Sequence, residues 1–192
     1  MKKDIILAGV GGQGILTIAT IIGDAAAVAG VNLKQAEVHG MSQRGGDVQS
    51  NLRLSTEPIH SDLIRQGAAD IIISMEPMEA LRYLPYLNKQ GWVVTSSNPY
   101  KNIPSYPDEQ AIMEELKALP NTAILPIEDF AKENSMPKSA NVFLLGMAAK
   151  YIEILSPEQL RESVKRVFSS KGEKIVEMNC RAFDLGLNAI KE

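Results

Sequence analysis

A chain of 192 residues with a formal net charge of −3 is sized for one domain with a substantial core, and its charge balance offers no basic face for nucleic acid. Hydrophobic residues make up 45% and charged residues 22%, ordinary for a soluble globular protein, and no run reaches the roughly 18–20 apolar residues of a membrane span. The single cysteine, Cys180, excludes an internal disulfide and any cysteine-ligated iron–sulfur cluster held by this chain alone.

Asp4 to Ala8 is a short apolar strand, too short a run after Met1-Lys2-Lys3 for a secretory signal, so the cytoplasm is the expected compartment. The glycine turn GVGGQG (9–14) follows, then a helix over Ile15 to Ala29 with Gly30 where a terminating glycine belongs. Val31 to His39 reads as a second strand, which completes an opening βαβ unit. GMSQRGGD (40–47) is a polar glycine-rich loop, and the strand after it alternates, Val48, Ser50, Leu52 and Leu54 against Gln49, Asn51 and Arg53, as a half-buried strand does. Thr56-Glu57-Pro58 marks a turn, and Ile59 to Ile64 is expected to pair back as a short hairpin strand.

The α/β alternation then resumes. Residues 69–76, ADIIISME, make a buried strand, and Pro77 at a first helical position opens PMEALRYLPYL. GWVVTSS is the next strand, the three-proline stretch 98–107 a loop, 108–119 a helix, TAILPI a strand and IEDFAKEN a short helix. The last third is helical: SANVFLLGMAAKYIEIL, then SPEQLRESVKRVFS with Ser156 as N-cap and Gln159 at the third position, then 172–191. The expected fold is a single α/β domain over 1–192, a Rossmann-like, largely parallel sheet flanked by helices, with an inserted antiparallel hairpin and a helical C-terminal region.

Gly9, Gly11 and Gly14 fit G-x-G-x-x-G in the right context, strand before and helix after. The helix N-terminus behind them offers unpaired N–H groups and the positive end of a dipole, so an anion is suited to the turn. Equally, such glycines serve a tight strand-to-helix connection with no ligand. A dinucleotide reading would also want an acid near the end of the second strand, and Glu37 stands about 23 residues beyond Gly14, against a usual spacing of about 20. Against NAD or FAD, the chain runs on into GMSQRGGD and an antiparallel pattern rather than into another crossover helix.

In that second loop Gly40, Gly45 and Gly46 free the backbone to point several N–H groups into one concavity. Arg44 adds a planar fork suited to phosphate or carboxylate, with Ser42 and Gln43 beside it. With the second strand parallel to the first, both loops face one crevice at the carboxyl edge of the sheet. The plainer alternative pairs Arg44 with Asp47 or Glu37 and leaves the glycines as a bend. His39 and His60 stand without clustered acids or cysteines and read as structural, and Cys180 reads as a packed core thiol. No phosphate-loop lysine, nucleophile elbow or metal-ligand spacing occurs. A site-like edge without catalytic machinery suggests a subunit.

GVGGQG, EVHGMSQRGG, ADIIISMEPMEALRYLPYL, SANVFLLG and NCRAFDLG together resemble the gamma-type domain of 2-oxoacid:ferredoxin oxidoreductases over nearly the whole chain, nearest to the small beta subunit of the indolepyruvate branch. The resemblance implies a non-catalytic small subunit of an assembly that oxidatively decarboxylates a 2-oxoacid, forms an acyl-coenzyme A and passes electrons to ferredoxin. It places thiamine diphosphate and the iron–sulfur clusters in a large alpha partner subunit, and implies that the chain is inactive alone. It also makes the two loops candidate contacts for coenzyme A, at Gly9, Gly11, Gly12, Gln13, Gly14, Ser42, Gln43, Arg44 and Gly45, or else a surface for the partner. Pyruvate, 2-oxoglutarate and branched-chain oxoacids are the alternative substrates, a free-standing NAD- or FAD-binding oxidoreductase the alternative class. An exposed partner face could pair two copies when the chain is isolated.

Overall fold

The computed structural model describes residues 1–39, 46–101 and 103–190. Along β1 (Lys2–Val10) successive side chains point to opposite faces, and both sets are buried: Ile5 and Leu7 enter one core, Ile6 and Ala8 another. A strand apolar on both faces needs a layer on each side. On one side α1 (Ile15–Ala29), α4 (Ile127–Glu133), α5 (Ala140–Ile152), α6 (Pro157–Phe168) and α7 (Glu173–Ala189) supply it. On the other lie α2 (Pro77–Arg82) and α3 (Glu109–Ala118).

Between them, among the described residues, β2 (Asn32–His39), β3 (Asp47–Ser55), β4 (Ala69–Ser74), β5 (Leu87–Ser96) and β6 (Thr122–Leu125) join β1 in one sheet of order β2-β3-β1-β4-β5-β6. β1, β4, β5 and β6 pair in parallel. β3 runs antiparallel to both β1 and β2, so β2 points the same way as β1 but two strands away. The expected α/β class, its flanking helices, antiparallel insertion and helical C-terminal region are all present.

Two local expectations are corrected. The hairpin partner of β3 is β2, and Ile59 to Ile64 forms no strand. Side chains of β3 take up that segment's backbone instead. Arg53 Nη1 donates to the carbonyls of Ser61 (2.9 Å) and Leu63 (3.2 Å), and Ile64 N–H donates to Asn51 Oδ1 (3.3 Å). Arg53 is itself held by a two-point ion pair to Asp4, whose carboxylate is fully buried. Nor is β3 half-buried: as an interior strand with β2 and β1 on its flanks it buries Gln49, Ser50 and Asn51 as well as its apolar set.

The helices follow their sequence signals. Gly30 closes α1 with φ 67°, its N–H directed at the carbonyls of Ala26 and Ala27. Ser156 and Gln159 form a complete capping box on α6. α5 is buried along almost its whole length between the sheet and α7, as expected of a helix apolar all round. Its crossing with α7 is closed by Gly146 and Gly186, each lying against the backbone carbonyl of a phenylalanine on the other helix. These are the final glycines of SANVFLLG and NCRAFDLG. Among the described residues no helix is long and apolar enough to cross a membrane.

Candidate functional site

The glycine turn between β1 and α1 is braced from three sides. Gln13 folds back over it: its Oε1 accepts from Val10 N–H (2.8 Å) and its Nε2 donates to the Met75 carbonyl (3.4 Å) at the end of β4. Gly11 N–H donates to the Gly46 carbonyl (2.9 Å). Gly14 caps α1 in the left-handed region, φ 83°, while Asn141 Nδ2 donates to its carbonyl (3.0 Å) from the first turn of α5. A side chain on Gly14 would collide with that amide, its Cβ only 2.5 Å from Nδ2. Gly12, at φ 105°, faces open space. The turn and the amino end of α1, which has no side-chain cap and no acid in its first turn, lie together at one edge of the sheet.

They open onto a cleft of about 510 Å³. It lies where an open α/β sheet collects ligands, beyond the carboxyl ends of its strands. Gly12, Gln13 and Gly14 follow β1, Met75 follows β4, Tyr100 follows β5 and Glu128 follows β6. Lys138 enters from the single 3-10 turn just before α5, Asn141 from the start of α5, and Lys171 from beyond the end of α6. Among the described residues, two helix amino ends and two lysines thus share the cleft with one carboxylate. Burial pushes the Glu128 carboxyl up, only partly offset by the hydroxyl of Ser96 donating to its Oε2. Tyr100 is held by its backbone, with N–H donating to the fully buried Glu76 (3.3 Å), while the residue as a whole is 46% exposed.

Of the residues singled out in sequence, Gly12, Gln13 and Gly14 line the cleft. Gly9 and Gly11 shape the turn behind it: a Cβ on Gly9 would meet Ile15 Cγ1 at 2.9 Å. Ser42, Gln43, Arg44 and Gly45 lie outside the described residues, while the Gly11–Gly46 bond brings the end of their loop to the first turn. Glu37 sits opposite Ser50 on β2, with β3 between it and β1, and its carboxylate accepts from Gln35. An acid that holds a ribose in a dinucleotide fold stands on the strand beside β1, a place β3 takes here. His60 is exposed, and Cys180 packs in the core, where burial raises its thiol. Glu128, Lys138, Lys171 and Tyr100 escaped the sequence reading. Asn141 belongs to SANVFLLG, but nothing local tied it to the turn.

The fold and cleft define an α/β domain whose sheet opens at its carboxyl edge between helix amino ends and two lysines. Residues 4–189 match the family described as pyruvate ferredoxin/flavodoxin oxidoreductase, and the chain belongs to it. Over its full length the chain is 38% identical to the indolepyruvate oxidoreductase subunit IorB of Thermococcus kodakarensis, covering 98% of that protein. It is 27% identical to the pyruvate/ketoisovalerate oxidoreductases common subunit gamma of Pyrococcus furiosus, over 86% of this chain and 87% of that one.

Two solved structures share the fold. The 2-oxoglutarate:ferredoxin oxidoreductase from Magnetococcus marinus, with 2-oxoglutarate, coenzyme A and succinyl-CoA bound, matches at TM-score 0.75 and 23% identity over 99% of this chain. This chain spans 32% of that one, about a third of its length. The keto/oxoacid ferredoxin oxidoreductase gamma subunit from Geobacter sulfurreducens matches at TM-score 0.70 and 22% identity, over 97% of this chain and 94% of that one.

Proposed function

We propose that this chain is the small, non-catalytic subunit of a 2-oxoacid:ferredoxin oxidoreductase that decarboxylates an aryl pyruvate such as indolepyruvate, forms the acyl-coenzyme A and passes electrons to ferredoxin. The observation that carries this reading is 38% identity along the full length of a subunit named for indolepyruvate, against 27% for one named for pyruvate and ketoisovalerate. Thiamine diphosphate and iron–sulfur clusters supply the redox chemistry of such an assembly. The donor set here does not suit a cluster, since the chain has one cysteine and it is buried in the core. Both groups are therefore assigned to a large partner subunit.

The part left to this chain is to hold coenzyme A, and its cleft suits the phosphates. The amino end of α1, Gly12 with no side chain in the way, and the two lysines Lys138 and Lys171 all line it. Gln13 and Gly14 serve by fixing the turn, and Ser42, Gln43, Arg44 and Gly45 are proposed as further coenzyme A contacts.

The test is to tag this chain in its native host, identify what co-purifies, and assay the complex for indolepyruvate- and coenzyme A-dependent ferredoxin reduction. A large iron–sulfur protein in equal amount, with activity in the complex and none in the isolated chain, is the expected result. Decarboxylation of indolepyruvate by the isolated chain with added thiamine diphosphate would overturn the subunit reading. So would a homodimer carrying NAD or FAD that Glu37→Ala releases. A complex that prefers pyruvate or a branched-chain oxoacid would overturn the substrate assignment alone.

A further inference from the structure

The sheet ends in two edges of different kinds. β6 is a strand of four residues, too short to offer a neighbour much to pair with. β2 is eight residues long, against about five or six for an ordinary strand. It pairs with β3 in unbroken register, from Asn32 opposite Ser55 to His39 opposite Val48, and among the described residues no strand lies on its other side. β2 has no proline and its ladder no register shift, two of the devices that spoil an exposed edge. The backbone along that side is a template for another strand. Beside it, Leu16, Thr20, Gly23 and Ala27 share one face of α1 by their spacing. That face turns toward β2, since a Cβ on Gly23 would meet Leu33 at 3.3 Å. It carries no charge: the single charged residue of α1, Asp24, is turned to Arg166 on α6.

We propose that β2 pairs antiparallel with β2 of a second copy of this chain, about a two-fold axis at Ala36, so that two sheets become one. A two-fold axis that pairs a strand antiparallel with itself stands normal to the sheet. Facing residues then come from the same face, and one residue meets its own counterpart at the axis. With the axis at Ala36, a methyl group meets a methyl group at the closest approach. Gln35 faces Glu37 of the second copy, amide to carboxylate, and Lys34 faces Val38 of the second copy, each twice. Val38 is 52% exposed in the single chain, and the stem of Lys34 covers it while the ammonium stays in water. No like charges face each other directly. An axis at Gln35 would instead set Leu33 against Glu37 of the second copy. The pairing is independent of what the cleft at the carboxyl edge holds.

The experiment is sedimentation equilibrium of the full chain over a concentration series, alone and in complex with the co-purified partner, for wild type, Val38→Glu and Val38→Lys. Val38 is exposed, so both variants should keep the fold, which circular dichroism confirms. The isolated wild-type chain should dimerise reversibly. Val38→Glu sets a carboxylate against Lys34 of the second copy and should tighten the dimer, whereas Val38→Lys sets like charges together and should weaken it. Each change is expected to be about fivefold, because the pair occurs twice, and to shrink at high salt. Ala36→Cys gives the register. Facing Cα atoms in an antiparallel pair lie about 4.5–5.5 Å apart, within the reach of a disulfide, so mild oxidation should link two copies. Lys117→Cys, on α3, should not link them, and the native Cys180 is buried.

A chain that stays monomeric throughout the series, in a complex that holds one copy of it, overturns the pairing. So does a dimer that both Val38 variants leave unchanged, or an Ala36→Cys variant that links no faster than Lys117→Cys. Protection of the β2 amides from hydrogen exchange in a complex of one small and one large subunit gives the edge to the large subunit, and the pairing with a second copy falls.

Discussion

Replacing Gly186 with alanine tests the packing of the helical layer directly. In the middle of a helix this change ordinarily stabilises by about 1 kcal/mol. Here the added Cβ would lie 2.0 Å from the Phe143 carbonyl oxygen, well over an ångström inside ordinary contact, and the reciprocal Cβ on Gly146 would lie 2.2 Å from the Phe183 oxygen. Neither obstacle is a side chain that can rotate away. α5 must move off α7, and it is pressed on its other side against β4 and β5. Overpacking a tight core typically costs about 1–3 kcal/mol, sometimes more. A rigid backbone clash lies at and beyond the upper end, at about 3–5 kcal/mol, so the net loss is set at about 2–4 kcal/mol after the propensity gain. For a chain of this size each kcal/mol lowers Tm by roughly 2–4 °C, which gives a fall of about 5–15 °C. Thermal unfolding followed by circular dichroism reads it. Gly23 provides the control: it too is helical, but its Cβ would meet only the tip of Leu33, 3.3 Å away. Gly23→Ala should leave Tm unchanged or raise it. Equal Tm for Gly186→Ala and wild type would refute the reasoning.

Arg53→Met removes the two-point partner of the buried Asp4 and both carbonyl contacts to Ser61 and Leu63. The expected cost is about 3 kcal/mol, with the segment 56–68 becoming sensitive to limited proteolysis; an intact segment under protease would count against the tether. Ser156→Ala breaks the capping box of α6 and should cost about 1 kcal/mol, read as a Tm lower by a few degrees. Burial raises the Glu128 carboxyl in the folded protein, so its contribution to stability is fully present below the unfolded value and is lost as pH rises through the folded one. Glu128→Gln, which does not ionise, should therefore gain stability over wild type at pH 7 and lose that advantage near pH 4. Scanning calorimetry at the two pH values checks the sign, and an equal difference at both would mean burial of the carboxylate carries no cost.

Much of the chain was legible locally. A helix announces itself by apolar residues three and four apart and by its caps, as Ser156-Pro157 and Gly30 do. The β1–turn–α1 unit and the central strand at 69–74 were equally plain, since continuous apolar runs are what strands buried on both faces require. What no local pattern carried was adjacency. The insertion of β3 between β1 and β2 depends on nine paired positions from Lys2 with Ser55 to Val10 with Asp47. Ile59 to Ile64 has strand-like residues, but the guanidinium of Arg53 and the amide of Asn51 reached its backbone first.

The candidate site divides in the same way. Its glycines stand within six consecutive residues, where a turn must bend and a side chain would collide, so the sequence by itself determined the turn and the helix behind it. Tyr100, Glu128, Lys138 and Lys171 come from the ends of different elements and share no spacing. Only the tertiary structure decided that they meet. The parallel strands β1, β4, β5 and β6 must all end at one edge of the sheet, and burial of that sheet on both faces leaves the edge as the place where their polar ends face one another.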